Sequence, residues 1–119
     1  MIYCGLEILL DLHGQILVQE DGSWIKIEAR RAEETEQRPH GIKYSLTLHA
    51  RDGKRLMGYD NAHGLKQTGK RHEAQKVPFD HRHPFEKREP VIYAFSCPEE
   101  LLRHFFAEVD EVLRELKKR

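Results

Sequence analysis

Two runs of alternating apolar and polar residues constrain the fold of this 119-residue chain more than any other feature. Apolar side chains occupy every second position in residues 25–29 and again in residues 42–48. Such alternation is typical of strands that bury one face and expose the other. The Asp-Gly pairs at 21–22 and 52–53 indicate a hairpin turn beside each run, because glycine adopts the positive φ that tight turns need. The sequence therefore predicts an antiparallel sheet.

Shorter segments extend this predicted sheet. We predict strands at residues 2–10, where apolar and other residues also alternate, and at residues 16–20. A further short strand is expected at residues 55–59, and a well-buried last strand at residues 91–95. The polar residues 32–40 are expected to connect the two long runs.

The end of the chain predicts one long helix. Ser96 and Glu99 have the spacing of a capping box, and Pro98 suits a first helical turn. The predicted fold class is α+β, with residues 1–119 forming one domain: a meandering antiparallel β-sheet with one long C-terminal α-helix packed on one face. The helix is expected to bury Leu102, Phe105, Phe106, Val109 and Leu113, and the sheet to contribute Leu6, Ile8, Ile25, Ile27, Tyr44, Leu46, Leu48, Ile92 and Ala94 to the core.

Composition narrows the class of protein. Twenty basic and twenty acidic residues balance, so no global positive field argues for nucleic acid. Cys4 and Cys97 are far apart and follow no metal or redox spacing, which favours a reducing compartment. The N-terminus lacks a secretory signal pattern, and no apolar stretch approaches ~20 residues. These features predict a cytoplasmic protein that does not span a membrane.

A long polar loop, at about residues 61–89, carries the candidate functional residues. The motif YDN at 59–61 precedes it, and the motif DHRH occupies residues 80–83. Loops of this length inside a compact domain are commonly functional or disordered. We predict that residues 65–76 are exposed and poorly ordered, because their charge-rich composition cannot offset the entropy lost on ordering.

Two histidines in this region suggest acid–base chemistry. His81 and His83 are two residues apart, so they point the same way from an extended segment. One imidazole could accept a proton while the other donates one, as metal-free cleavage of RNA requires. Asp60 would orient a histidine tautomer, and cations would hold the phosphate. The predicted catalytic residues are His81, His83 and Asp60, and the predicted substrate-binding residues are Tyr59, Asn61, His63, Lys70, Arg71 and Arg82; no cofactor is required.

Two other interpretations use the same residues. The imidazoles, completed by Asp60, Asp80, His63 or His72, could bind a metal ion in a tetrahedral site, although their spacing matches no compact zinc module. Alternatively, the histidines belong to a solvated loop with no function, and the YDN motif forms a turn by bonding its own backbone. The remaining histidines, His13, His40, His49 and His104, are expected to lie at the surface or to be satisfied structural residues.

The order of these motifs resembles the TumE family. The matching residues are Leu56, residues 59–63, residues 80–83 and residues 96–102; the loop is longer than expected, and Pro84 stands where glycine is common. The resemblance implies a small toxin encoded beside an antitoxin gene, hence a cognate antitoxin as partner. Combined with the histidines, it predicts a metal-independent ribonuclease with RNA as a second partner. The alternatives are a non-enzymatic module that binds protein or nucleic acid, or a metal-binding domain; a homodimer is left open.

Overall fold

A computed structural model of the protein describes residues 4–61 and 80–119. These residues form one six-stranded antiparallel sheet, whose strands are ordered as they occur in the chain, and two helices. The predicted α+β class is therefore confirmed. The elements are α1 (Leu6–Asp11), β1 (Ile16–Val18), β2 (Trp24–Arg31), β3 (Ile42–His49), β4 (Arg55–Asp60), β5 (His81–His83), β6 (Val91–Ile92) and α2 (Pro98–Lys118).

The centre of the sheet follows the alternation in the sequence. In β3, every second side chain is buried from Ile42 to Leu48, and Leu46 lies opposite Ile27 on one side and Tyr59 on the other. This places one apolar face on the core, while the opposite face carries polar residues such as Lys43 and Thr47. Short turns join β1 to β2 and β3 to β4, and Asp21 stabilises the first of them by accepting a hydrogen bond from the Ser23 amide at 2.9 Å.

Helix α2 covers the apolar face and begins at Pro98, as predicted. Phe105 and Val109 are buried, as are Leu101 and Val112. The other predicted contact residues, Leu102, Phe106 and Leu113, are partly buried and pack against the same core. The predicted stripe is therefore confirmed along its centre, and Leu102, Phe106 and Leu113 lie along its edges.

The predicted capping box is wrong. Cys97 is the N-cap residue of α2, and its side chain makes no capping hydrogen bond. The Glu99 amide instead donates to the Cys4 carbonyl at 2.9 Å, and the Glu99 carboxylate accepts a hydrogen bond from the Cys4 thiol. The N-terminal segment therefore supplies the partner that the local sequence was expected to provide.

The predicted strand at residues 2–10 is also wrong, because Leu6–Asp11 form helix α1. Leu6 and Leu9, one helical turn apart, are buried, whereas Ile8 is 62% exposed. Gly5 has a φ of 84° and accepts the first helical hydrogen bond from the Leu9 amide at 3.0 Å. Three consecutive apolar residues, 8–10, satisfy a helical stripe as well as a strand, so the alternation was not decisive here.

The last strand is shorter and more exposed than predicted. Only Val91–Ile92 pair with β5, and Ile92 is 60% exposed. Ala94, a predicted core residue, is exposed as well, whereas Tyr93 is buried. Strand β6 is an edge strand that pairs over two residues. Beyond it, the Tyr93 amide donates a hydrogen bond to the Asp80 carbonyl at 3.1 Å. Both residues of this edge strand are exposed.

Candidate functional site

The register between β4 and β5 decides which polar residues meet. Asp60 lies opposite His81, Tyr59 opposite Arg82, and Gly58 opposite His83. Because side chains alternate between the two faces of a sheet, Asp60 and both histidines share one face. Tyr59 and Arg82 point to the other face, where α2 lies.

Asp60, His81 and His83 form a compact group on the face turned away from α2, which we call the outer cluster. The two Nε2 atoms are 3.2 Å apart. Asp60 Oδ1 lies 3.2 Å from His81 Nε2, and Asp60 Oδ2 lies 3.5 Å from His83 Nε2. One ligand-type atom from each residue therefore falls within 4.8 Å of the others. The contact between Asp60 and the histidines is the one that the sequence predicted.

The two histidines differ in their surroundings. The His81 side chain is 4% exposed and that of His83 is 23% exposed. Partial burial lowers the pKa of His83, and the positive charge of Arg55 acts in the same direction, whereas Asp60 opposes it. Gly58, opposite His83, leaves no room for a side chain, because a Cβ there would lie 2.9 Å from Thr47 Cγ2.

His83 also lines a cleft of about 350 Å³ that is rich in basic side chains, which we call the basic cleft. Residues from the β3–β4 turn, the β5–β6 connection and the chain end meet there. Among the described residues of its lining, Glu86 contributes a side-chain carboxylate, and Arg119 binds it through two hydrogen bonds. The basic residues of the cleft are Lys54, Arg55, Lys87, Arg88 and Arg119.

A family model with the description toxin TumE matches residues 9–113, which is most of the chain. The chain belongs to the TumE toxin family. The comparisons with curated proteins and with solved structures gave no significant match. Within the described ranges of this TumE-family protein, neither helix has the length and apolar character needed to cross a bilayer.

Behind the outer cluster, on the side of α2, the TumE-family chain buries a second polar group: His40, Tyr44 and Asp80. We call it the inner group. Tyr44 donates to Asp80 Oδ2 at 2.8 Å, and His40 Nε2 lies 2.9 Å from the same oxygen. His40 Nδ1 accepts from the Ile42 amide, so in the neutral ring Nε2 carries the proton and donates it to Asp80. The inner group thus anchors the start of β5, and Asp80 is not a member of the outer cluster.

Asn61 is fully buried and joins the end of β4 to β3. Its Oδ1 accepts from the Tyr44 amide at 2.9 Å, and its Nδ2 donates to the Ile42 carbonyl at 2.6 Å. Both polar atoms of the side chain are therefore bonded to the backbone, and the side chain acts as an extra rung of the sheet.

Tyr59 and Arg82 meet on the α2 side of the sheet. The Tyr59 hydroxyl and Arg82 Nη1 donate to Glu108 Oε1 at 2.7 and 3.1 Å. Burial and the Glu108 carboxylate raise the pKa of Tyr59. The structure does not bring these two side chains, or Asn61, to the imidazoles that they were predicted to accompany.

Three other predicted substrate-binding residues, His63, Lys70 and Arg71, lie outside the described residues, as do His72 and the segment 65–76 that was predicted to be poorly ordered. Sequence reasoning missed the basic cleft. Its cations come from separate segments, and no motif connects them. The one local signal was the basic composition at each place, such as Lys54-Arg55 and Lys87-Arg88.

Proposed function

We propose that this TumE-family toxin is a ribonuclease, that Asp60, His81 and His83 are its catalytic residues, and that a cognate antitoxin neutralises it. One observation carries the proposal. The outer cluster, in which these side chains converge, adjoins the basic cleft through His83. Reactive groups beside an anion-binding surface suit a phosphodiester substrate, and an RNA target would place the action of the protein in the cytoplasm.

The basic cleft supplies what the substrate requires. Arg55 and Lys54 stand beside His83, where they would hold the phosphate at the scissile bond. Fixed cations also stabilise the charge that develops on the phosphate oxygens in the transition state. Lys87 and Arg88 extend the positive surface along the cleft and would bind the neighbouring nucleotides.

The distance between the imidazoles limits how they can act. A base and an acid must reach the attacking and leaving oxygens, which lie on opposite sides of the reacting phosphorus. Nε2 atoms that are 3.2 Å apart leave no room for a phosphate between them. We therefore propose that the outer cluster acts as a unit at one side of the phosphate, with the more exposed His83 nearest the substrate.

The test is RNA cleavage by the purified protein. We expect His83→Ala and Asp60→Asn to lower the cleavage rate by ~10²–10⁴-fold, the usual contribution of groups that move protons in catalysis. His13→Ala is the matched control, because this exposed histidine lies beside Ala29 in β2, away from the outer cluster. Cleavage at the wild-type rate by both outer-cluster variants would contradict the proposal.

A non-enzymatic nucleic-acid-binding module is the second candidate, and the basic cleft favours it, since such a cleft can bind RNA without cutting it. Expression in a bacterium separates the two functions. If the protein is an enzyme, His83→Ala should remove growth inhibition, and co-expression of the neighbouring antitoxin gene should suppress inhibition by the wild type. If it acts by binding, replacing Arg55 and Arg88 should remove inhibition while His83→Ala remains toxic.

A further inference from the structure

We propose that Asp60, His81 and His83 form a site for one divalent transition-metal ion of the zinc type. Two imidazole nitrogens and a carboxylate are ligands that zinc and its neighbours in the first transition series accept. Three protein ligands are typical of catalytic zinc sites, which keep a further position for water or substrate. The inference that the ion binds is independent of the proposed function, whereas any role of the ion in RNA cleavage rests on that function.

The distances within the outer cluster fit a shared ion. Ligand atoms about 2.1 Å from a tetrahedral ion lie ~3.4 Å from one another. The observed separations are 3.2 Å between the imidazole nitrogens and 3.2 and 3.5 Å from these nitrogens to the carboxylate oxygens. Each pair has the spacing of atoms bound to one centre; the His81 distance is to Asp60 Oδ1 and the His83 distance is to Asp60 Oδ2, so the carboxylate faces the site through both oxygens.

The carboxylate of Asp60 provides a second, independent observation. Its Oδ1 atom is buried and accepts no hydrogen bond from any described residue, although His81 Nε2 is 3.2 Å away. A buried carboxylate oxygen without a donor is costly, and a native protein normally avoids one. A bound cation would satisfy this oxygen and would also account for the convergence of two Nε2 atoms and a carboxylate within 3.5 Å of one another.

The backbone holds these ligands before any ion arrives. His81 and His83 project from the same side of β5, and the antiparallel pairing brings Asp60 of β4 opposite His81. The Asp80 contacts of the inner group anchor the residue that precedes His81. Ligands on paired strands lose little freedom on binding, because their backbone positions are already set.

With an ion bound, the two imidazoles are ligands instead of an acid and a base. The ion would bind a phosphate oxygen or lower the pKa of a bound water, which are the ordinary contributions of such metals to phosphoryl chemistry. The basic cleft would retain its role of holding the RNA. The metal-free acid–base hypothesis and the metal site therefore assign different chemistry to the same atoms.

The experiment uses the full chain, freed of metal with a chelator and titrated with Co²⁺, whose visible spectrum reports its coordination. We expect one equivalent to bind with the absorption of a four- or five-coordinate nitrogen–oxygen site. The affinity should fall more than ~100-fold in Asp60→Asn and in His83→Ala, beyond the loss caused by outer-shell changes. His13→Ala should bind like the wild type.

Folding is checked separately, by comparing the metal-free unfolding transitions of these variants with that of the wild type. Equal Co²⁺ binding by the wild type and a His81→Ala/His83→Ala double variant would overturn the inference, as would the absence of any Co²⁺ spectrum in the folded wild type. RNA cleavage is measured in chelator and again after saturation with Co²⁺, which distinguishes the two proposals. Cleavage without Co²⁺ binding defeats the metal site alone, whereas Co²⁺ binding without cleavage under either condition supports the site and defeats the ribonuclease proposal.

Discussion

The inner group and the outer cluster are built from the same residue types, an aspartate with histidine, on opposite sides of one short strand. In the inner group, Asp80 accepts from Tyr44 and His40, and the second nitrogen of His40 is bonded to the backbone. In the outer cluster, the Nε2 atoms of both imidazoles face each other and the Asp60 carboxylate. The buried Oδ1 of this carboxylate has no hydrogen-bond donor among the described residues. The difference is one of hydrogen bonding: the inner group is complete, as in a structural group, whereas the outer cluster has an unsatisfied carboxylate oxygen within the described part of the chain, on which the proposed metal site draws.

The largest stability effect is expected on the inner side of the sheet. Phe105→Ala should lower the free energy of unfolding by ~3–5 kcal/mol, because this fully buried ring packs between α2 and the sheet. Denaturant unfolding measures the loss. Phe106→Ala is the matched control, and because Phe106 is only partly buried, it should cost clearly less. A loss below ~1 kcal/mol for Phe105→Ala would mean that α2 does not cover the sheet.

The second prediction tests the inner group directly. Asp80→Ala leaves the Tyr44 hydroxyl and His40 Nε2 buried without an acceptor, and each such group costs ~1–3 kcal/mol. The free energy of unfolding should therefore fall by at least ~2 kcal/mol. The exposed Asp110→Ala on α2 is the control and should change it by less than ~0.5 kcal/mol. Equal effects of the two substitutions would remove the distinction between a satisfied group and a surface carboxylate.

A smaller effect is expected for Tyr44→Phe. This change removes one donor to Asp80 but leaves the hydrogen bond from His40 in place, so it should cost ~1–2 kcal/mol. Tyr93→Phe serves for comparison, since its hydroxyl bonds to the exposed His104 and water can replace it. If Tyr93→Phe proves the more destabilising of the two, burial does not determine how much each hydrogen bond contributes to the free energy of unfolding.

The smallest stability effect is expected in the outer cluster. In chelator, Asp60→Asn should leave the free energy of unfolding within ~0.5 kcal/mol of the wild type or raise it, because the substitution removes a carboxylate whose Oδ1 has no hydrogen-bond donor among residues 4–61 and 80–119. The same variant should lose Co²⁺ binding and RNA cleavage. A destabilisation as large as that of Asp80→Ala would place the outer cluster with the structural groups and remove its functional interpretation.

The parts of the fold that the sequence predicted are those with an unambiguous period. Residues 42–48 alternate without interruption, and β3 has the predicted strand and buried face. Helix α2 begins at Pro98, as predicted, because the apolar stripe and the position of the proline indicate the same first turn. Residues 8–10, by contrast, are apolar at consecutive positions, and α1 forms there. Ile92 is exposed because its strand lies at the edge of the sheet, and the sequence of that segment does not reveal its position in the sheet.

By itself, the sequence determined that His81 and His83 would share one side, since the spacing of two in a strand is local geometry. It also predicted that Asp60 would lie near them. Only the tertiary structure decided that Tyr59 and Arg82 turn away to Glu108, because this depends on the register of β4 with β5 and on the position of α2. The basic cleft likewise exists only after folding, since its cations come from segments that no local interaction brings together.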